Sequence, residues 1–162
     1  MCGDVLMKSE IEFLKTWGRY MIKRFLPITV DVQVYEDLRA RSSGNWIVEI
    51  RYRKTKVKMS SANLDRDFVW RALRSFYEKL FPNAKMIEVK LEKGYVQIWM
   101  YGILIQIENG RVIVSGREGD MIDCLRDLCD AKMDKVGTVV ILHTNDFDRL
   151  YDSLIICGWF ES

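Results

Sequence analysis

The chain has one histidine, two prolines, three glutamines and five asparagines in 162 residues, and each shortage narrows the field. With His143 alone and four cysteines (Cys2, Cys124, Cys129, Cys157), none in a CxxC pair, a structural zinc site is not expected. Cys124 and Cys129 lie five apart on a predicted helix, which turns them to different faces. The cysteines therefore read as buried free thiols in a reducing cytoplasm. No window approaches the roughly 18 unbroken apolar residues that a membrane span needs. Met1 to Met7 shows no basic region followed by an apolar stretch, so neither a membrane nor a secretory route is expected. Gly-rich phosphate loops, a nucleophile elbow and paired metal motifs are all missing, which removes the nucleotide and hydrolase classes they mark. The scarcity of Gln and Asn beside many charged residues points to a thermophilic source.

What is present suits one soluble domain spanning 1–162, long enough to bury a core. Apolar residues make up 49% and charged residues 30%. The net charge of +2 hides an asymmetry. Residues 1–60 hold 12 Lys and Arg against 7 Asp and Glu, whereas residues 61–162 hold 13 against 16.

Periodicity predicts an α+β fold, an antiparallel meander with helices mainly on one face, in the order α-β-β-α-β-β-β-α-β-α. Ile11, Leu14, Trp17, Met21 and Phe25 recur every three or four residues on a first helix over 8–25, with Lys15, Arg19 and Lys23 on another face. Pro27 stops it. Alternation over 28–36, a turn at Ser42-Ser43-Gly44-Asn45 and alternation from Trp46 to Tyr52 make a hairpin. Asn63 is the expected N-cap of a second helix, with Leu64, Val69, Leu73, Phe76 and Leu80 facing the core. Strands follow at Lys85–Glu92, Tyr95–Glu108 and Arg111–Ser115, the last two joined at Asn109-Gly110, where both residues need positive φ. A third helix over Glu118–Asp134, a strand at Thr138–Leu142 covered on both faces, and a fourth helix capped by Asn145 and closed by Gly158 complete the chain. The prolines of Phe25-Leu26-Pro27 and Leu80-Phe81-Pro82 sit 55 residues apart, which suggests a helix–hairpin pseudo-repeat over 8–59 and 63–115.

The stretch from Gly102 to Gly116 resembles the strand–turn–strand of a TATA-binding-protein repeat, and the order over residues 45–134 is similar to one such repeat. That resemblance implies a sheet face able to meet the DNA minor groove. The family proper carries two tandem repeats, and its intercalating phenylalanine pairs have no counterpart here.

Chemistry concentrates in four places. Arg51, Arg53, Lys54, Lys56 and Lys58 crowd eight residues. On a continued strand Lys54, Lys56 and Lys58 would share a face suited to phosphates, with Tyr52 placed to stack on a base and Arg39 and Arg41 extending the patch. The bland account is an edge strand protected by lysines. Glu88, Lys90 and Glu92 share an outer strand face and have the carboxylate–x–lysine form of metal-dependent nucleases, with Glu88 and Glu92 as ligands for Mg²⁺ or Mn²⁺; the aspartate of a preceding strand would have to be Asp31 or Asp37, which lie before an intervening helix, so the set is incomplete. Glu49-Ile50-Arg51 is a second version with arginine in place of lysine. Asp120, Asp123, Asp127, Asp130 and Asp134 form an acidic stripe on the predicted third helix. His143 precedes Asp146 and Asp148 as a candidate base with its orienter. Trp99, Tyr101, Ile103 and Ile105 on one strand face leave apolar area that a second copy would cover. The expected function is nucleic-acid binding by the basic hairpin, DNA ahead of RNA. A metal-dependent nuclease and a protein–protein adaptor are the alternatives, and a cytoplasmic homodimer is the expected assembly.

Overall fold

A computed structural model of the chain describes residues 8–37 and 45–159. Helix α1 (Lys8–Lys23) leads into β1 (Asp31–Asp37), β2 (Asn45–Tyr52) and β3 (Thr55–Ser61), an antiparallel sheet in that order. Helix α2 (Arg66–Leu80) follows, then β4 (Met86–Lys90), β5 (Tyr95–Met100), β6 (Ile103–Glu108), β7 (Arg111–Arg117), α3 (Asp120–Cys129), β8 (Lys132–Val136), β9 (Val139–Thr144) and α4 (Phe147–Ile156). The second sheet is also antiparallel, ordered β4-β5-β6-β7-β9-β8. The α+β class and the positions of the four helices match the sequence reading. The expected turn at Ser42-Ser43-Gly44, with Arg39 and Arg41, lies outside the described residues.

Three strands more than expected are present, each for a local reason. The strand begun at Trp46 does not continue through Lys58. It reverses at Arg53-Lys54, where Arg53 takes φ 53°, and returns as β3. The strand expected over Tyr95–Glu108 breaks at Tyr101-Gly102, with Gly102 at φ 89° in the region that glycine enters without strain. The third helix stops at Cys129 because Asp130 adopts the left-handed conformation at its C-terminus, and Lys132–Val136 then forms an edge strand. The predicted hairpin at Asn109-Gly110 is present, with φ 47° and 79°. Both predicted N-caps move: Asp65 rather than Asn63 accepts from the Phe68 amide at 3.0 Å, and Asp146 rather than Asn145 accepts from Arg149 at 3.0 Å.

The alternation of burial fixes which face of each sheet is core. On β2, Trp46, Val48, Ile50 and Tyr52 point inward, and on β5 and β6 Val96, Ile98, Met100, Ile103, Ile105 and Ile107 do the same. The face of α2 holding Phe68, Val69, Leu73, Phe76 and Leu80 is buried in one continuous cluster with both sheets. Each such side chain contributes roughly 1.5–3 kcal/mol of transfer free energy. Trp70 Nε1 donates to the Val89 carbonyl at 3.1 Å, tying α2 to β4. The Asn109 amide donates to the Arg24 carbonyl at 3.2 Å, tying the end of α1 to the β6–β7 turn. Strand β9 is covered on one side only: Val140 and Leu142 are buried, Val139 and His143 exposed.

The cysteine reading needs correction. Cys124 on α3 and Cys157 after α4 form a disulfide with Cα atoms 6.0 Å apart, while Cys129 is a buried free thiol. The helical spacing that separates Cys124 from Cys129 is what leaves Cys124 free to meet another element, since α3 and α4 pack together. No helix among the described residues is long and apolar enough to cross a membrane.

Candidate nucleic-acid interface

The basic hairpin exists, but its geometry differs from the sequence expectation. Because the chain reverses at Arg53-Lys54, Lys54 sits in the turn, while Lys56 and Lys58 project from β3 level with Arg51 and Glu49 of β2. Glu49 lies between the two lysines, with its Oε1 3.7 Å from Lys56 Nζ and 3.8 Å from Lys58 Nζ. Arg53 is held by Asp152 of α4 through both carboxylate oxygens and lies over the rings of Tyr52 and Tyr151. This contact holds the Asp152 carboxyl below its ordinary value, the hydrogen bond from Arg53 being the largest cause.

Tyr52 touches Arg53 but does not stand on the outer face with Arg51, Lys56 and Lys58. It belongs to the inward row of β2, is 4% exposed, and packs edge-on against Phe147 and Tyr151. Its hydroxyl donates to Asp148 Oδ1 at 2.6 Å, and Thr29 donates to the same oxygen at 2.8 Å. Burial first, then the bond to Asp148, pushes the Tyr52 phenol far above its usual range. A base-stacking role for Tyr52 is therefore excluded by its place in the core.

A second set of cations borders this hairpin. Lys15, Arg19 and Lys23 share the predicted face of α1 and line an open groove of about 330 Å³ with Tyr20 and Val34. Arg19 Nε donates to the Val32 carbonyl at 3.3 Å, which seats α1 along β1, the outer strand of the first sheet. An adjoining groove of about 280 Å³ shares Tyr20 and Lys23 and adds Arg24 and Ile28. Lys15 pairs with Glu12 at 3.4 Å. Among the described residues, Arg19, Lys23, Arg24, Arg51 and Lys54 form no ion pair with a carboxylate. Tyr20, 61% exposed beneath the Arg24 guanidinium, is the exposed aromatic of this region. The i, i+4, i+8 spacing of Lys15, Arg19 and Lys23 was visible in the sequence. What was not visible is that β1 lies between them and the hairpin, with Asp31 opposite Arg51.

The other candidate sets are less assembled. Glu88 and Lys90 lie on the outer edge strand β4, bonded to each other at 3.1 Å, and Glu92 lies in the exposed turn beyond. Asp31 and Asp37 belong to β1 in the other sheet, and Glu49 of the second version belongs to β2 beside it. Among the described residues no group of three or more His, Cys, Asp and Glu is placed to hold a metal ion. The five-aspartate stripe is divided: Asp120, Asp123 and Asp127 are on α3, Asp130 ends it, and Asp134 is on β8. There Asp134, not Asp146, meets His143, at 3.2 Å from Nε2, because β8 and β9 are neighbours and Asp146 is occupied as a helix cap. This pair lies in a shallow depression of about 630 Å³ where Arg111 and Lys132 are matched by Asp130 and Asp134, which leaves no excess of either charge. Ile103 and Ile105 are core residues, whereas Trp99 and Tyr101 are exposed, so the four do not share a face.

Comparison of the chain with known protein families, with curated proteins and with solved structures finds no match.

Proposed function

We propose that this chain binds nucleic acid through its phosphate backbone, using the cations of α1 together with those of the β2–β3 hairpin. The observation that carries this reading is that Arg19, Lys23 and Arg24 in and after α1, and Arg51 and Lys54 of the hairpin, form no ion pair with a carboxylate among the described residues, with β1 between the two groups. Lysines that merely protect a sheet edge need no such extension onto a helix. Phosphate contacts release condensed counterions, so affinity falls as salt rises. Lys56 and Lys58 are already partly neutralised by Glu49 and contribute less than their number suggests.

The test is fluorescence anisotropy with labelled duplex DNA, single-stranded DNA and RNA across a salt series. Replacing Lys23, Arg51 and Lys54 together by alanine should flatten the log–log salt slope by about 2–3 units. Unchanged affinity and slope in that triple variant would dispose of the proposal.

A further inference from the structure

Helix α1 turns two parallel rows of side chains away from the core, whose side of the helix is marked by Gly18, Met21 and Ile22. Phe13 and Tyr20 form the first row. At 3.6 residues per turn they stand two turns apart on one side, about 10.5 Å along the axis. Their rings are 68% and 61% exposed. Lys15, Arg19 and Lys23 form the second row, about 6 Å apart along the axis. Tyr20 borders both grooves of this region. It lines one of about 330 Å³ with the three cations and the adjoining one of about 280 Å³ with Arg24 and Ile28. Ile28 is 76% exposed, and the Arg24 guanidinium lies 5.9 Å from the centre of the Tyr20 ring.

We infer that the nucleic acid taken by this surface is single-stranded, with bases stacked on Tyr20 and Phe13 and phosphates held by the cation row beside them. This inference rests on the proposed function and names its substrate. Cations alone would favour a duplex, which carries one negative charge per roughly 1.7 Å of axis and so outweighs a lone strand in charge density. Exposed rings act in the opposite direction. In a duplex each base face is covered by the next pair, so a ring on a helix surface meets only sugar, phosphate and groove edges. A single strand turns its bases outward and lays them on the ring, whatever their sequence.

The two rows divide the labour. Lys15 is partly neutralised by Glu12 at 3.4 Å, and Arg19 is held against the Val32 carbonyl at 3.3 Å. Lys23, one turn from Tyr20, is therefore the cation best placed for the phosphate next to a stacked base. Arg24 lends the Tyr20 ring a planar, weakly hydrated neighbour on which a second base rests. Tyr20 thus supplies the choice of strand state, and the cations supply the dependence on salt.

Fluorescence anisotropy with labelled oligothymidylate, oligouridylate and a mixed-sequence duplex of equal length tests this. The more tightly bound single strand should exceed the duplex about tenfold at the same salt. Tyr20→Ala should remove that margin, lowering single-strand affinity about tenfold while duplex affinity and the salt slopes stay unchanged. Tyr20→Trp keeps an aromatic face and should keep the margin. Tyr20 is largely exposed and alanine is the best helix former, so Tyr20→Ala should unfold in urea as the wild type does. The inference is overturned if neither single strand exceeds the duplex, or if Tyr20→Ala leaves single-strand affinity unchanged. In both cases the proposed function stands wherever binding still weakens with salt and in the Lys23, Arg51 and Lys54 triple variant. Absence of binding to all three probes overturns the proposed function and this inference together.

Discussion

Reduction of the Cys124–Cys157 disulfide is the perturbation whose size the structure fixes best. The bond closes a loop with a sequence separation of 33 that contains the end of α3, both strands β8 and β9, and all of α4. In the chain-entropy treatment a loop of that length restricts the unfolded ensemble by about 12–13 cal/mol/K, which is about 3.7 kcal/mol at room temperature. For a chain of this size that corresponds to a fall in Tm of about 10 °C. The element most exposed to the loss is the β8–β9 edge, since every residue of β8 is solvent-exposed and its side chains add little to the core. Cys157→Ser and chemical reduction should agree, because each removes the same cross-link. The assay is thermal and urea unfolding with and without reductant, paired with alkylation of denatured, unreduced protein. Cys129 is expected to react, and Cys124 and Cys157 are not. Four reactive thiols in protein that unfolds identically with and without reductant would refute the reasoning.

Four smaller effects follow. Tyr52→Phe leaves Asp148 with only Thr29 and should lower stability by about 1–2 kcal/mol in urea unfolding, the cost of one buried charge-assisted hydrogen bond. Tyr52 and the fully buried Tyr77 both have phenols raised by burial, so the stability they carry is complete below the ordinary tyrosine value of about 10 and is lost as pH rises beyond it; absorbance titration should show both of them, among seven tyrosines, ionising only as the chain unfolds. Asp152 has the opposite sign: its folded value lies below 3.8, so its contribution is present above that pH and fades as pH falls through the lowered value. Because the Arg53–Asp152 pair is about half exposed, Asp152→Asn should cost less than about 1 kcal/mol near neutrality and reduce the steepness of acid unfolding. Gly110→Ala should destabilise by about 1 kcal/mol from its φ of 79°, since the added Cβ would meet Ile28 at 3.1 Å but that side chain is 76% exposed and yields.

The helices were legible because their apolar spacing is undisturbed, and the Asn109-Gly110 hairpin because both residues advertise positive φ. The two reversals that went unread had a signal of their own. Inward positions run Trp46, Val48, Ile50, Tyr52 and then Val57, Met59, changing from even to odd numbers across Arg53-Lys54. They change again from Val96, Ile98, Met100 to Ile103, Ile105, Ile107 across Tyr101-Gly102. A two-residue turn preserves the sheet face only by that switch of parity, so an alternation that changes parity is a hairpin and not a long strand. Arg53 hid the first turn because it enters positive φ without being glycine or asparagine, with its guanidinium anchored by Asp152. The β8 strand was unreadable for a different reason: Lys132-Met133-Asp134-Lys135-Val136 buries nothing, so no burial period exists to find.

The same parity decides what each sheet offers to a partner. On β2 and β3 the outward positions are Glu49, Arg51, Lys56 and Lys58, and the register sets each carboxylate or guanidinium against a lysine, so that face is charged and hydrated. On β5, β6, β7 and β9 the outward positions include Trp99, Leu104, Ile113 and Ile141 interleaved with Gln97, Gln106, Ser115 and His143, so that face mixes apolar and polar side chains. Shifting either sheet by one residue would exchange core for surface, so the register that packs the core also sets where binding groups stand.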